Sequence, residues 1–198
     1  MGCVHSLDKA SSGLKFSKQY CRVVKRYLPH FIFDEPSNDQ DRITAFAHWE
    51  KTYKDTIHSE KTAADSPVGK LYAAFYQYLF DNAAQLKPLF QASHAVQSRV
   101  LTHISTGMKS LLSSEDLVQK VMHLAIVHMK IGVKPDDFDP LGEALIQAMK
   151  QTTGVAWDER TETAWRRIYC HASILILMNI PNLQIDLDDF NGEKDGEL

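Results

Sequence analysis

The chain has little cysteine, no long apolar run and no large excess of either charge. Its three cysteines, Cys3, Cys21 and Cys170, are scattered and form no CxxC pair. That argues against a disulfide framework and against a cysteine-based zinc site. A reducing compartment is the default for such a chain. No stretch approaches the ~18 consecutive apolar residues of a membrane-spanning helix. No apolar segment near the start reads as a secretory signal. The net charge is −3, so nothing global points to a nucleic-acid partner. No Gly-rich dinucleotide or flavin motif occurs. No segment alternates polar and apolar residues over any length, which argues against a sheet.

What is present suits a globular chain. Its 198 residues are 44% hydrophobic and 24% charged, enough to bury one sizeable core with extensions to spare. The charge is uneven. Residues 1–30 carry Lys9, Lys15, Lys18, Arg22, Lys25 and Arg26 against Asp8 alone, and residues 181–198 carry six acids against Lys194. The division expected is a basic N-terminal extension over 1–40, a domain over 41–180, and a flexible acidic tail over 181–198.

The domain reads as helices. Ile43, Phe46, Trp49 and Tyr53 recur at three- and four-residue steps between Asp41 and about Asp55. Ser66-Pro67 reads as a cap followed by proline at the first helical position, opening a helix to about Phe80. A long helix is expected over Ser93–Leu112. Ser113–Asp116 resembles a capping box for the next helix. Pro135 and Asp136 open another, ending near Gly154, and Asp158 caps the last, through about Asn179. The fold class is all-α.

Leu117, Val121, Leu124 and His128 fall on one helical face, so an apolar stripe ends in an imidazole. On periodicity alone such a histidine is more often a hydrogen-bonded core residue than a ligand. The residues after it change that balance. Gly132-Val133-x-Pro135, Phe138, Leu141-Gly142, Ala144-Leu145, Trp157, Ala164-Trp165 and Tyr169 follow in fixed order. Upstream stand Phe75-Tyr76-x-x-Leu79-Phe80 and Leu86-Lys87-Pro88-Leu89-Phe90. This run, from Trp49 to about Asn179, resembles the globin family over roughly two-thirds of the chain.

The resemblance implies a globin-like helical fold around a haem b pocket, with His128 as the proximal iron ligand. Phe90 matches the phenylalanine that stacks on the porphyrin; without the family it would read equally well as plain core. Tyr76 resembles the tyrosine of flavohaemoglobins that donates to a bound ligand. The competing reading is a core ring with its hydroxyl at the surface. Gln97 is a second distal candidate, with Leu101 as the apolar lid one turn later. The alternative register faces Val96, Val100, Ile104 and Met108 to the haem and leaves Tyr76 as the one distal donor. His94 and His103 share that helix and are read as propionate-contacting or solvated. The chemistry asks for a neutral imidazole on one side of the iron, an apolar slot, and a hydrogen-bond donor beside ligand on the other side.

The chain departs from the flavohaemoglobin pattern at Phe138, where those proteins carry a tyrosine in the network around the proximal histidine. A strongly electron-rich proximal ligand is therefore not expected. Nineteen residues follow Asn179, too few for a reductase, so catalytic turnover would draw on an external one. Met1-Gly2-Cys3-Val4-His5-Ser6 fits N-myristoylation at Gly2, with Cys3 beside it as a palmitoylation site. Some animal globins resemble this in carrying acylated Met-Gly-Cys starts. Two acyl chains hold a protein firmly where one does not. The stretch Lys15–Arg26, interleaved with Phe16, Tyr20, Val23 and Val24, could add attraction to anionic lipid of the inner leaflet. The competing reading is a chance Met-Gly start on a disordered arm. The expected ligands are O2, NO or other small gases, and the expected location is the cytoplasmic face of a membrane, with the cytoplasm as the alternative. Three functions stay open: reversible O2 binding, haem redox catalysis (NO dioxygenation or nitrite reduction), and a six-coordinate electron-transfer or sensor role.

Overall fold

The computed structural model describes residues 15–53, 66–91, 123, 125–130, 132–180 and 183. Every regular element among the described residues is helical, as the sequence predicts. Helix α1 spans Lys18–Tyr27, α2 Asp39–Tyr53, α3 Pro67–Asn82 and α4 Lys87–Gln91. Residues 125–130 are helical (α5), followed by α6 over Phe138–Thr153 and α7 over Glu159–Leu177. Among the described residues, no helix is long and apolar enough to cross a membrane.

Local chemistry sets most ends. Ser66 accepts from Gly69 N at 3.0 Å, with Pro67 at the first helical position of α3. Asn38 and Asp41 bond each other's backbone N–H groups reciprocally, at 2.9 and 3.0 Å, and open α2 two residues earlier than the apolar pattern suggests. Asp158 caps α7 by accepting from Thr161 N at 2.7 Å. Gly154 ends α6 at φ 60°, where a Cβ would be strained. A 3-10 turn over Pro135–Asp137 precedes α6, held by Lys134 N donating to Asp137 at 2.7 Å.

The core forms between these helices. α3 lies across α6, α2 runs along α7, α6 and α7 pack together, and α1 docks on α7. The buried stripe of α2 differs from the sequence reading. Ala45, His48, Trp49 and Tyr53 point inward, while Ile43 is 61% and Phe46 37% exposed. The reason is His48, whose ring is satisfied inside. Trp165 Nε1 donates to its Nδ1 at 3.1 Å, which leaves Nε2 to carry the proton toward Thr153 Oγ1 at 3.1 Å.

The N-terminal boundary also moves. Val23, Val24, Tyr27, Leu28 and Phe31 are buried in the same core as α6 and α7. The side of α1 that was to meet lipid therefore meets protein, and the extension expected over 1–40 does not describe residues 16–33. Burying Phe31 alone contributes about 2 kcal/mol by area. Gly2, Cys3 and the other residues before Lys15 lie outside the described residues. Of the acidic tail, Leu183 is described and is half-buried against the core.

Burial holds His48 and His171 at about 4, well below the ordinary imidazole value of 6.5. Both stay neutral in the folded protein and take up a proton more readily when unfolded. Their contribution to stability is complete above 6.5 and is lost as pH falls from 6.5 to about 4. Thermal melts across that range should show a falling Tm. His48→Gln, which cannot titrate, should have a shallower slope. An unchanged slope in that variant would show that His48 does not carry the effect.

Candidate functional site

Tyr76 and Phe90, chosen from sequence, come together. α3 places Tyr76 inward at 8% exposure, and α4 brings Phe90 against it at the same exposure. Their ring centroids are 5.3 Å apart and cross at 72°. Phe75 and Phe80 complete an aromatic cluster, each 6.5 Å from Phe90. Edge-to-face contacts of this kind are favourable beyond the area they bury.

The hydroxyl of Tyr76 is the unusual atom in this cluster. It is buried and has no hydrogen-bond partner among the described residues, and the same holds for Tyr72. The two rings meet edge-on at 4.3 Å, but their hydroxyls are not in bonding geometry. Burial, and then the Tyr72 hydroxyl, push the Tyr76 phenol above its ordinary value. It therefore remains a protonated donor. An unsatisfied buried O–H costs free energy until something accepts from it. Tyr72 was missed in the sequence reading. Its signal was there, since it lies four residues before Tyr76 on the same face of α3.

His128 sits on α5, half-buried, with its ring 5.9 Å from that of Phe138 and tilted 35° to it. The Gly-Val that follows has a structural cause. Gly132 takes φ 88°, its N–H donates to the Met129 carbonyl at 3.0 Å, and Val133 N donates to the carbonyl of His128 itself at 3.1 Å. The helix thus closes directly on its histidine, a C-terminal lock that needs a left-handed residue. Gly132 also rests on Leu89, whose Cδ2 lies 3.7 Å from where a Cβ would stand. That contact sets the end of the His128 helix beside the element carrying Phe90. Leu117, Val121 and Leu124 lie outside the described residues, as do Gln97, Leu101, Val96, Val100, Ile104, Met108, His94 and His103.

The Globin family model matches residues 73–174, just over half of the chain, and spans Tyr76, Phe90, His128 and Phe138. The chain belongs to the globin family. It is similar to a flavohaemoprotein of Halalkalibacterium halodurans, 26% identical over 99 residues, covering 48% of this chain and 24% of that protein. A flavohaemoprotein of Candida norvegensis is 24% identical over 110 residues, covering 49% of this chain and 26% of its own. An anaerobic nitrite reductase of Brassica napus is 34% identical over 56 residues, covering 28% of this chain and 35% of its own. The chain thus spans about a quarter of the length of the flavohaemoproteins and about a third of the plant protein.

Membership implies a haem group and small gaseous ligands. The described residues fit that group: a half-buried imidazole, aromatic edges, and a buried donor without a partner among the described residues.

Gly132→Ala should cost about 1 kcal/mol, because the left-handed turn is strained for any Cβ. The space itself is adequate, since 3.7 Å to Leu89 is an ordinary contact. A urea midpoint equal to wild type would mean that the turn is not under this constraint.

Proposed function

We propose that this globin binds O2 reversibly at a haem b held by His128, with Tyr76 donating a hydrogen bond to the ligand. The observation that carries the reading is the Tyr76 hydroxyl, which is buried, protonated and without a partner among the described residues. Haem supplies the iron that takes the gas. The chain would supply the His128 imidazole to hold the haem, the Phe90 ring to pack on it, and the Tyr76 hydroxyl as a donor where negative charge gathers on the ligand. Gln97 and Leu101 complete the distal face in this reading. Acyl chains on Gly2 and Cys3 hold the protein at the cytoplasmic face of a membrane, supported by the Met-Gly-Cys start.

A second reading is haem redox catalysis on NO or nitrite with electrons from a separate reductase; its nitrite branch is favoured by the name of the Brassica napus relative, an anaerobic nitrite reductase. The ferrous, unliganded absorption spectrum helps to divide the readings. A five-coordinate spectrum supports ligand binding, and a six-coordinate one supports electron transfer or sensing.

His128→Ala should abolish stable haem uptake or permit it only with added imidazole. A normal haem spectrum in that variant would remove the assignment. Tyr76→Phe removes a hydrogen bond worth about 1 kcal/mol or more, so O2 should leave several-fold faster. An unchanged off-rate would refute Tyr76 as the donor.

For the membrane tether, wild type, Gly2→Ala and Cys3→Ser are fractionated from eukaryotic cells. Wild type should pellet with membranes and Gly2→Ala should move to the soluble fraction. A soluble wild type would end the anchoring model.

A further inference from the structure

The first turn of α6 is gripped from two directions. On the N-terminal side, His30 bonds Asp139 twice, its backbone N–H to Oδ1 at 3.0 Å and its Nδ1 to Oδ2 at 2.6 Å. From α7, Tyr169 donates its hydroxyl to the carbonyl of Phe138 at 2.5 Å. Phe31 closes the space between these two grips. It is fully buried, and its ring centroid is 4.8 Å from that of Tyr169. Both rings rest in a notch over Gly142, where a Cβ would collide with Tyr169 Cε1 and stand 2.6 Å from Phe31 Cζ. Only glycine lets the Tyr169 ring lie low enough for its hydroxyl to reach the Phe138 carbonyl.

Phe138 is also the residue whose ring faces His128. It has no polar side-chain atom and cannot hold the imidazole by a hydrogen bond. It can act only as a wall, and a wall is as well placed as the backbone that carries it. That backbone is fixed by the bond from Tyr169. We propose that Tyr169 is a positioning residue for His128: seated by Phe31 and Gly142, it fixes the first turn of α6 and so the Phe138 wall that sets the imidazole's orientation. The proposal rests on the reading of His128 as the axial ligand. It assigns a haem-site role to an N-terminal residue, Phe31, that lies outside the family match.

The test uses the haem-loaded protein. Tyr169→Phe keeps the ring in its notch and removes only the hydroxyl. It is compared with wild type and with Trp49→Phe, a core change on α2. The readouts are the haem reduction potential, the rate of haem loss to an excess of a haem-scavenging protein, and Tm. Losing a group that orients a metal ligand typically weakens the metal's hold by 10- to 100-fold. Haem loss from Tyr169→Phe should therefore quicken about tenfold. The potential should rise as the imidazole holds ferric iron less well. Trp49→Phe should lower Tm without moving the potential. The proposal is overturned if either haem readout in Tyr169→Phe matches wild type, or if Trp49→Phe moves both as far. Should Tyr169→Phe fail to fold, Phe31→Leu, which loosens the seat and keeps the hydroxyl, is judged by the same criteria. Normal haem uptake by His128→Ala would overturn the reading of the axial ligand instead, and it is scored without reference to Tyr169.

Discussion

Burial of α7 on several sides at once governs the arrangement. Trp165, Ile168, Cys170, His171, Ser173, Ile174, Ile176 and Leu177 are all withdrawn from water, and α2, α6 and α1 cover different parts of the helix. A helix covered this way cannot leave its polar side chains to solvent. His171 answers Ser37 at 2.9 Å, Trp165 answers His48, and Arg166 pairs with Glu143 and with Glu162. Except for Glu162, which lies on α7 itself, each partner stands on another segment, so these polar atoms specify which elements surround α7. The apolar area supplies most of the driving force, and the polar pairs select one arrangement among those that would bury the same area.

From that spine the site follows. α6 packs on α7 and begins at Phe138. α3 crosses α6 and turns Tyr76 inward, and the turn at Gly132 delivers the chain from His128 into the start of α6. The site residues described here are thus placed by contacts among four elements. Tyr76 and Phe90 share one cluster because α3 runs through a short 3-10 turn at Ala84–Leu86 into α4, with no room for them to separate.

Sequence legibility divides along the same line. Features set by a few neighbouring residues were readable: the Ser66-Pro67 start, the Asp158 cap, the Gly154 stop, and the all-helical period. Tyr76 and Phe90 were each singled out because the family motif carries them; their ring contact was not foreseen. Features set by distant partners were not. His48 faces inward for want of nothing but Trp165 and Thr153, each more than a hundred residues away, and periodicity pointed to Ile43 and Phe46 instead. The apolar residues of the basic arm, Phe16, Tyr20, Val23 and Val24, were assigned to lipid because the charges between them suit an anionic surface. Val23, Val24, Tyr27, Leu28 and Phe31 do recur at helical spacing, and that stripe was the missed signal.

The docking of α1 separates two units that are often treated as one. The family pattern spans residues 73–174, and a reader of homology would cut the chain there. The unit that closes its own core begins near Phe16 and brings along α1, α2 and the loop at Phe31. Recognition and folding therefore have different borders. A recombinant fragment or a domain graft cut at the recognised border would expose the α7 surface that α1 and α2 now cover. Between lineages, the inherited motif could change its N-terminal neighbour only if the newcomer presented the same apolar stripe.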